Sequence, residues 1–219
     1  MALCKEYLLI FDWDGVIVNS ASYYMEVYRK ICIKYNKDFS VKTLDDFKEW
    51  YDSEWENNFY NLGFSKEELP EILKYENKIV NYGEIDFFKN IKEILLKLSE
   101  TFSMAIASTT ISYKIRQKLV SENMEDLFIL ISGGEDGKSE KKTKIRKVIE
   151  ELNFLPGKCI MVGDTVMDIV SSGVLGIKCI AMSCGWNSRI KLEKASPYLI
   201  VDSHKELLET LQTEGLWNL

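Results

Sequence analysis

Short apolar runs of strand length alternate with amphipathic stretches along most of this chain, and three of those runs end on polar residues. Residues 8–11 lead into Asp12 and Asp14, residues 103–107 into Ser108 and Thr109, and residues 159–162 into Gly163 and Asp164. Further strands are expected at 127–131, 177–182 and 198–201. Helices are expected at about 21–35, 91–98, 115–120, 143–152 and 207–211. Strand–helix alternation of this kind builds a parallel sheet with helices on both faces. In such open sheets, ligands bind at the carboxyl ends of the strands. The polar residues are therefore expected to meet at one edge.

The first of these runs carries the most chemistry. Side chains alternate along a strand, so Asp12 and Asp14 can face one point just past its end. Two converging carboxylates repel, and a hard divalent cation with oxygen ligands is the usual compensation. Gly15 permits a sharp turn straight afterwards. On its own, Asp-x-Asp-Gly also reads as a solvated acidic turn. Asp168 follows Asp164 by four residues, so a helix starting there would place both on one face. Asp164 and Asp168 read equally as an N-cap and a solvated helix residue, and Ser108 and Thr109 as a simple helix cap. The acidic cluster calls for a cation, and the hydroxyls with a lysine suit an anion. A phosphoryl group beside Mg²⁺ fits both needs.

Residues 40–82 break the alternation and read as mostly helical, with acidic residues interleaved among Phe47, Trp50, Tyr51 and Trp55. Ser65-Lys66-Glu67-Glu68 resembles a capping box opening a helix, with Pro70 near its start. The segment has the look of a small helical insertion.

Other readings are excluded or demoted. A net charge of −6 argues against a general nucleic-acid binder. The apolar run at the N-terminus is cut short by Asp12 and Asp14, so no signal peptide or membrane span is expected, and the location expected is cytoplasmic. Five scattered cysteines make no metal or disulfide framework. The one histidine, His204, is expected at the surface near a helix start, which leaves little room for histidine-based catalysis. Residues 132–139 have the look of a phosphate-binding loop, but the spacing fails, because Ser132 stands where glycine is required. Residues 184–189 place Cys and Arg one residue too close for a cysteine-phosphatase loop, and read as a link between strand and helix.

Taken together, Asp12-Trp13-Asp14-Gly15-Val16, Ser108-Thr109, a lysine near 141 and Gly163-Asp164-x-x-x-Asp168 resemble the motifs of the haloacid dehalogenase superfamily of phosphotransferases, in that family's order. The resemblance covers essentially the whole chain. The helical insertion is similar to the cap of the phosphoglycolate phosphatase and β-phosphoglucomutase group. It implies a Rossmann-like core at 1–18 and 86–219 and a cap at 19–85. One departure is Asn19, where many relatives carry Asp; it falls at the hinge of the implied cap.

The resemblance also implies roles. Asp12 would attack phosphorus, and Asp14 would act as general acid and base. Mg²⁺ would be held by Asp12, the Asp14 carbonyl and Asp164, with Asp168 alongside. Ser108, Thr109 backbone N–H groups and a lysine would bind the phosphoryl oxygens. The lysine implied is Lys141, because Ile145 and Ile149 follow at i+4 and i+8 on the inward face. Lys142 is about 100° away. Lys138 and Lys144 are expected in solvent. The function implied is a Mg²⁺-dependent phosphatase acting on a small phosphorylated metabolite, with no nucleic-acid or membrane partner. A phosphomutase shares the same residues, and a phosphorylation-switch or binding protein is the alternative from another class. Trp50, Tyr51 and Trp55 are candidates for lining or bracing the lid.

Overall fold

The computed structural model of the chain describes residues 5–134 and 140–213. Six parallel strands form one sheet: β1 (Leu8–Phe11), β2 (Ser103–Ala107), β3 (Leu130–Ser132), β4 (Cys159–Gly163), β5 (Lys178–Met182) and β6 (Leu199–Val201). Their order is β3-β2-β1-β4-β5-β6, with the first strand at the centre. This is the α/β, Rossmann-like arrangement expected from the alternation.

Period-two alternation explains why β1 is central. Leu9 and Phe11 face one apolar layer and Leu8 and Ile10 the other, and all four are at most 1% exposed. Burial on both faces is what an unbroken apolar run predicts. Each such side chain is worth about 1.5–3 kcal/mol relative to exposure. The first layer is covered by α5 (Ile91–Thr101), α6 (Ser112–Ser121) and α10 (His204–Gln212); the second by α7 (Lys141–Glu151), α8 (Val166–Val174) and α9 (Arg189–Lys194).

Four further helices lie between β1 and α5: α1 (Ala21–Lys34), α2 (Leu44–Trp50), α3 (Trp55–Asn61) and α4 (Leu69–Ile79). Their apolar faces share a third core, which includes Tyr28, Ile31, Phe47, Phe59 and Ile72. Among the described residues, Trp186, from the loop after β5, is the one later residue buried in that core. The chain enters and leaves this helical layer side by side. The Asn19 N–H donates to the Asp86 carbonyl at 2.8 Å, and Val18 bridges Phe87.

Several expectations shift. The strand expected at 127–131 starts only at Leu130, because 125–127 form a 3-10 turn. The helix expected from Ser65 starts at Leu69. Glu68 reaches back to the Ser65 N–H at 2.7 Å, but residues 65–68 form a turn. Helix α9 begins at Arg189, at the end of the link read between strand and helix at 184–189. His204 is 7% exposed rather than a surface residue. It opens α10 with its ring against Phe88, and Nε2 lies 2.6 Å from the Val16 carbonyl. Lys144 is also buried, at 3%, and donates to the Gly133 carbonyl at 3.1 Å. Three residues along a helix return to within about 60° of the starting direction, so Lys144 shares the inward face of Lys141. Lys138 and most of the loop resembling a phosphate-binding loop lie outside the described residues.

Candidate active site

Strand register brings the polar residues together. Phe11 pairs with Ile106 on one side and Val162 on the other, so β1, β2 and β4 end level. Asp12, Ser108 and Asp164 therefore emerge at one edge. The Asp12 N–H still donates to the Val162 carbonyl at 2.9 Å, holding the extended backbone one residue further.

Lys141, the first residue of α7, stands at the centre. Its ammonium lies 2.6 Å from Asp12 Oδ1 and 2.8 Å from Asp168 Oδ1. Burial works against that ammonium, but the charges of Asp12 and Asp168 outweigh it and raise its pKa. Lys142, one residue on, is 3.5 Å from Glu140 and partly exposed. Asp12 Oδ1 also accepts the Trp13 N–H at 2.6 Å. Both bonds fall on one oxygen, which leaves Oδ2 of Asp12 without a protein partner among the described residues. Burial pushes the Asp12 carboxyl up to about 7 against the pull of Lys141.

Asp168 is fully buried and largely committed. Oδ2 closes a capping box at the start of α8, accepting Thr165 N–H at 3.1 Å, Thr165 Oγ1 at 2.7 Å and Asp164 N–H at 3.2 Å. Its other oxygen faces Lys141. Asp164 is different. Oδ2 accepts the Trp186 N–H at 2.7 Å, but Oδ1 is buried with no hydrogen-bond partner. Burial, then the charges of Asp12 and Asp168, push its pKa well up. The chain approaches so closely here that two glycines are required. A Cβ on Gly15, which has φ of 75°, would sit 1.9 Å from Asp164 Oδ2, and one on Gly185 2.2 Å from it.

Asp14 points elsewhere. Its carboxylate accepts the Tyr82 hydroxyl at 3.0 Å and the Thr110 hydroxyl at 2.5 Å, and burial raises its pKa. Tyr82 in turn accepts Trp13 Nε1 at 2.6 Å. Ser108 is buried and accepts the Thr110 N–H at 3.1 Å, while Thr109 is exposed at the rim of the cavity.

Carboxylate oxygens of Asp12, Asp164 and Asp168 lie within 4.8 Å of one another. Three buried carboxylates against one lysine leave an excess of negative charge, and the Asp164 Oδ1 has nothing to bind. An all-oxygen donor set of this kind fits a hard divalent cation.

Above the carboxylates lies a cavity of about 270 Å³ between the sheet edge and α1–α4. Tyr51 and Trp55 line it, as do Tyr24, Tyr28, Glu76 and Trp186. Trp50 packs into the helical core instead, against Tyr28 and Phe39. Sequence reasoning missed Thr110, Tyr82, Glu76, Trp186 and Asn187. Thr110 was findable, since it continues the Ser108-Thr109 pair. The others reach the site from distant loops and helices that no local pattern marks. Asn187 accepts the Val166 N–H at 2.9 Å and the Ser53 hydroxyl at 3.0 Å, tying α8 to the helical layer.

A parallel sheet that gathers carboxylates, a buried lysine and hydroxyls at its carboxyl edge, under a helical layer, defines a class of α/β hydrolytic enzymes. Residues 9–182 match the family model of the haloacid dehalogenase-like hydrolases, and the chain belongs to that family. It is 25% identical to a phosphoglycolate phosphatase of Colwellia psychrerythraea, across 97% of this chain and 100% of that protein. It is 21% identical to a pyrophosphatase of Bacillus mycoides, across 93% of this chain and 95% of that protein. Its fold is similar to that of a haloacid dehalogenase-like hydrolase from Streptococcus pneumoniae, with a TM-score of 0.82, 21% identity, and coverage of 94% and 98% of the two chains. Among the described residues no helix is long and apolar enough to cross a membrane.

Proposed function

We propose that this chain is a Mg²⁺-dependent phosphatase that hydrolyses a small phosphate monoester through a phosphorylated Asp12. The observation that carries it is the Lys141 ammonium bridging Asp12 and Asp168 beside the unpartnered oxygen of Asp164. Family membership and relatives named phosphatases support the same reaction class.

Asp12 and Asp164, with the Asp14 carbonyl, would hold the cation, which neutralises phosphoryl charge when bound. Asp168 would serve as a positioning residue, aiming Lys141 and capping α8. Lys141 and Ser108 would then bind phosphoryl oxygens. Asp12 Oδ2 attacks phosphorus, the P–O bond to the alcohol breaks, and Asp14 gives its proton to the leaving oxygen. Its raised pKa suits an acid. Asp14, now a carboxylate, takes a proton from water, which attacks phosphorus and frees Asp12 and inorganic phosphate. Tyr82 and Thr110 orient Asp14 throughout. Residues 19–85 would act as the lid that keeps bulk water out.

Turnover of p-nitrophenyl phosphate tests this reading. Activity should require Mg²⁺, vanish with a chelator, be inhibited by Ca²⁺ and disappear in Asp12→Asn with an unchanged thermal melt. Substantial activity in folded Asp12→Asn sinks the mechanism.

A further inference from the structure

The far wall of the cavity has a chemistry that the phosphoryl end does not explain. Glu76 of α4 lines it, and no hydrogen bond or ion pair holds its carboxylate among the described residues. The phenols of Tyr24, Tyr28 and Tyr51 feel its charge, and those of Tyr24 and Tyr51 also feel Asp14. The carboxylate thus belongs to the same chamber as the reacting groups. Trp186 closes that wall, its ring 4.5 Å from Tyr51 and 5.2 Å from Tyr24. Lys141 is the one cation among the described residues lining the chamber, and two carboxylates already match it. Lys114 acts on Glu76 from outside the lining, above the Tyr82 ring.

Aromatic side chains with one carboxylate and no free lining cation offer surroundings suited to an organic cation. An anionic leaving group would meet the Glu76 carboxylate with no lining cation free to offset its charge. The cavity, at about 270 Å³, has room for a phosphoryl group and a small leaving alcohol. Resting on the phosphatase reading above, we propose that the substrate is a phosphorylated amino alcohol, its quaternary ammonium held beside Glu76 among the aromatic residues of the lining while its phosphoryl group meets Asp12. Hydrolysis then releases the amino alcohol and inorganic phosphate, with water as the only co-reactant. Burial leaves Glu76 raised to about 7, and a bound ammonium would restore its charge.

Three matched esters test the proposal in the Mg²⁺-loaded full chain: choline phosphate, its neutral isostere 3,3-dimethylbutyl phosphate, and phosphoglycolate. Expected is a kcat/KM at least about tenfold higher for choline phosphate than for the isostere, and lowest for phosphoglycolate. In Glu76→Gln the ratio of choline phosphate to isostere should fall toward one. Equal kcat/KM for choline phosphate and the isostere in the wild type overturns the proposal without any variant. So does a preference for phosphoglycolate, or a ratio untouched in folded Glu76→Gln. Turnover of p-nitrophenyl phosphate with no preference for the cation sinks this inference alone, whereas no turnover of any ester sinks the phosphatase reading with it.

Discussion

At the scale of single residues, the site depends on where two charges sit. Lys141 is the ammonium whose geometry can serve the phosphoryl group, so Lys141→Ala should cut kcat by more than about a hundredfold. Lys142→Ala should leave it within about twofold, because that side chain turns to Glu140. Steady-state kinetics on p-nitrophenyl phosphate decide between them. Glu76 offers a second measurement, independent of catalysis. Its carboxyl is raised from 4.5 to about 7 by burial, so the folded chain binds more protons than the unfolded chain between those values. Stability should therefore fall as pH rises through that window. Glu76→Gln removes the cost. The variant should melt above the wild type at pH 8, by about 1–2 kcal/mol after allowance for partial solvation, and together with it below pH 4.5. A wild-type advantage at pH 8 would contradict the burial argument.

At the scale of elements, α7 links the sheet edge to the loop after β3 through two buried lysines one helical turn apart. Lys141 carries charge to the site, and Lys144 satisfies the Gly133 carbonyl. Lys144→Ala should lower stability by about 1–3 kcal/mol through the orphaned carbonyl and the emptied volume, read as a drop in melting temperature. Lys142→Ala should stay within about 0.5 kcal/mol. The sheet was legible because apolar runs and their polar endings are local, and Asp12, Asp14 and Asp164 stand at those endings; Lys141 came from the family resemblance, chosen among its neighbours by the i+4 and i+8 spacing of Ile145 and Ile149. Lys144 was legible too, since a spacing of three implies a shared face; counting only i+4 and i+8 hid it. His204 was not, because its burial depends on the Val16 turn and Phe88, far away in sequence. Tyr82, Glu76 and Trp186 are invisible for the same reason. Each acts through a tertiary contact that leaves no period in its own segment.

Across the whole molecule, the helical layer is tied to the sheet through the loop following β5 and through α9. Lys48 donates to the carbonyls of Ser183 and Cys184 at 3.1 Å, and Lys191 to the Tyr51 carbonyl at 3.0 Å. Trp186 is the deepest of these ties. Its backbone N–H holds Asp164, its ring lies in the core of α1–α4, and its Nε1 donates to Ser20 Oγ at 3.0 Å. One residue therefore grips both a proposed cation ligand and the proposed lid. Whatever closes the lid should also tighten the cation, and by thermodynamic reciprocity the cation should favour closure by the same factor. Titration of Mg²⁺ with and without vanadate should reveal a coupling of about fivefold or more in the wild type, and less in Trp186→Phe, where the Ser20 bond is lost. Equal coupling in both proteins would show that the two events are independent. With the coupling in place, release of product and loosening of the ion share one motion, so the lid's opening rate would set the tempo of turnover.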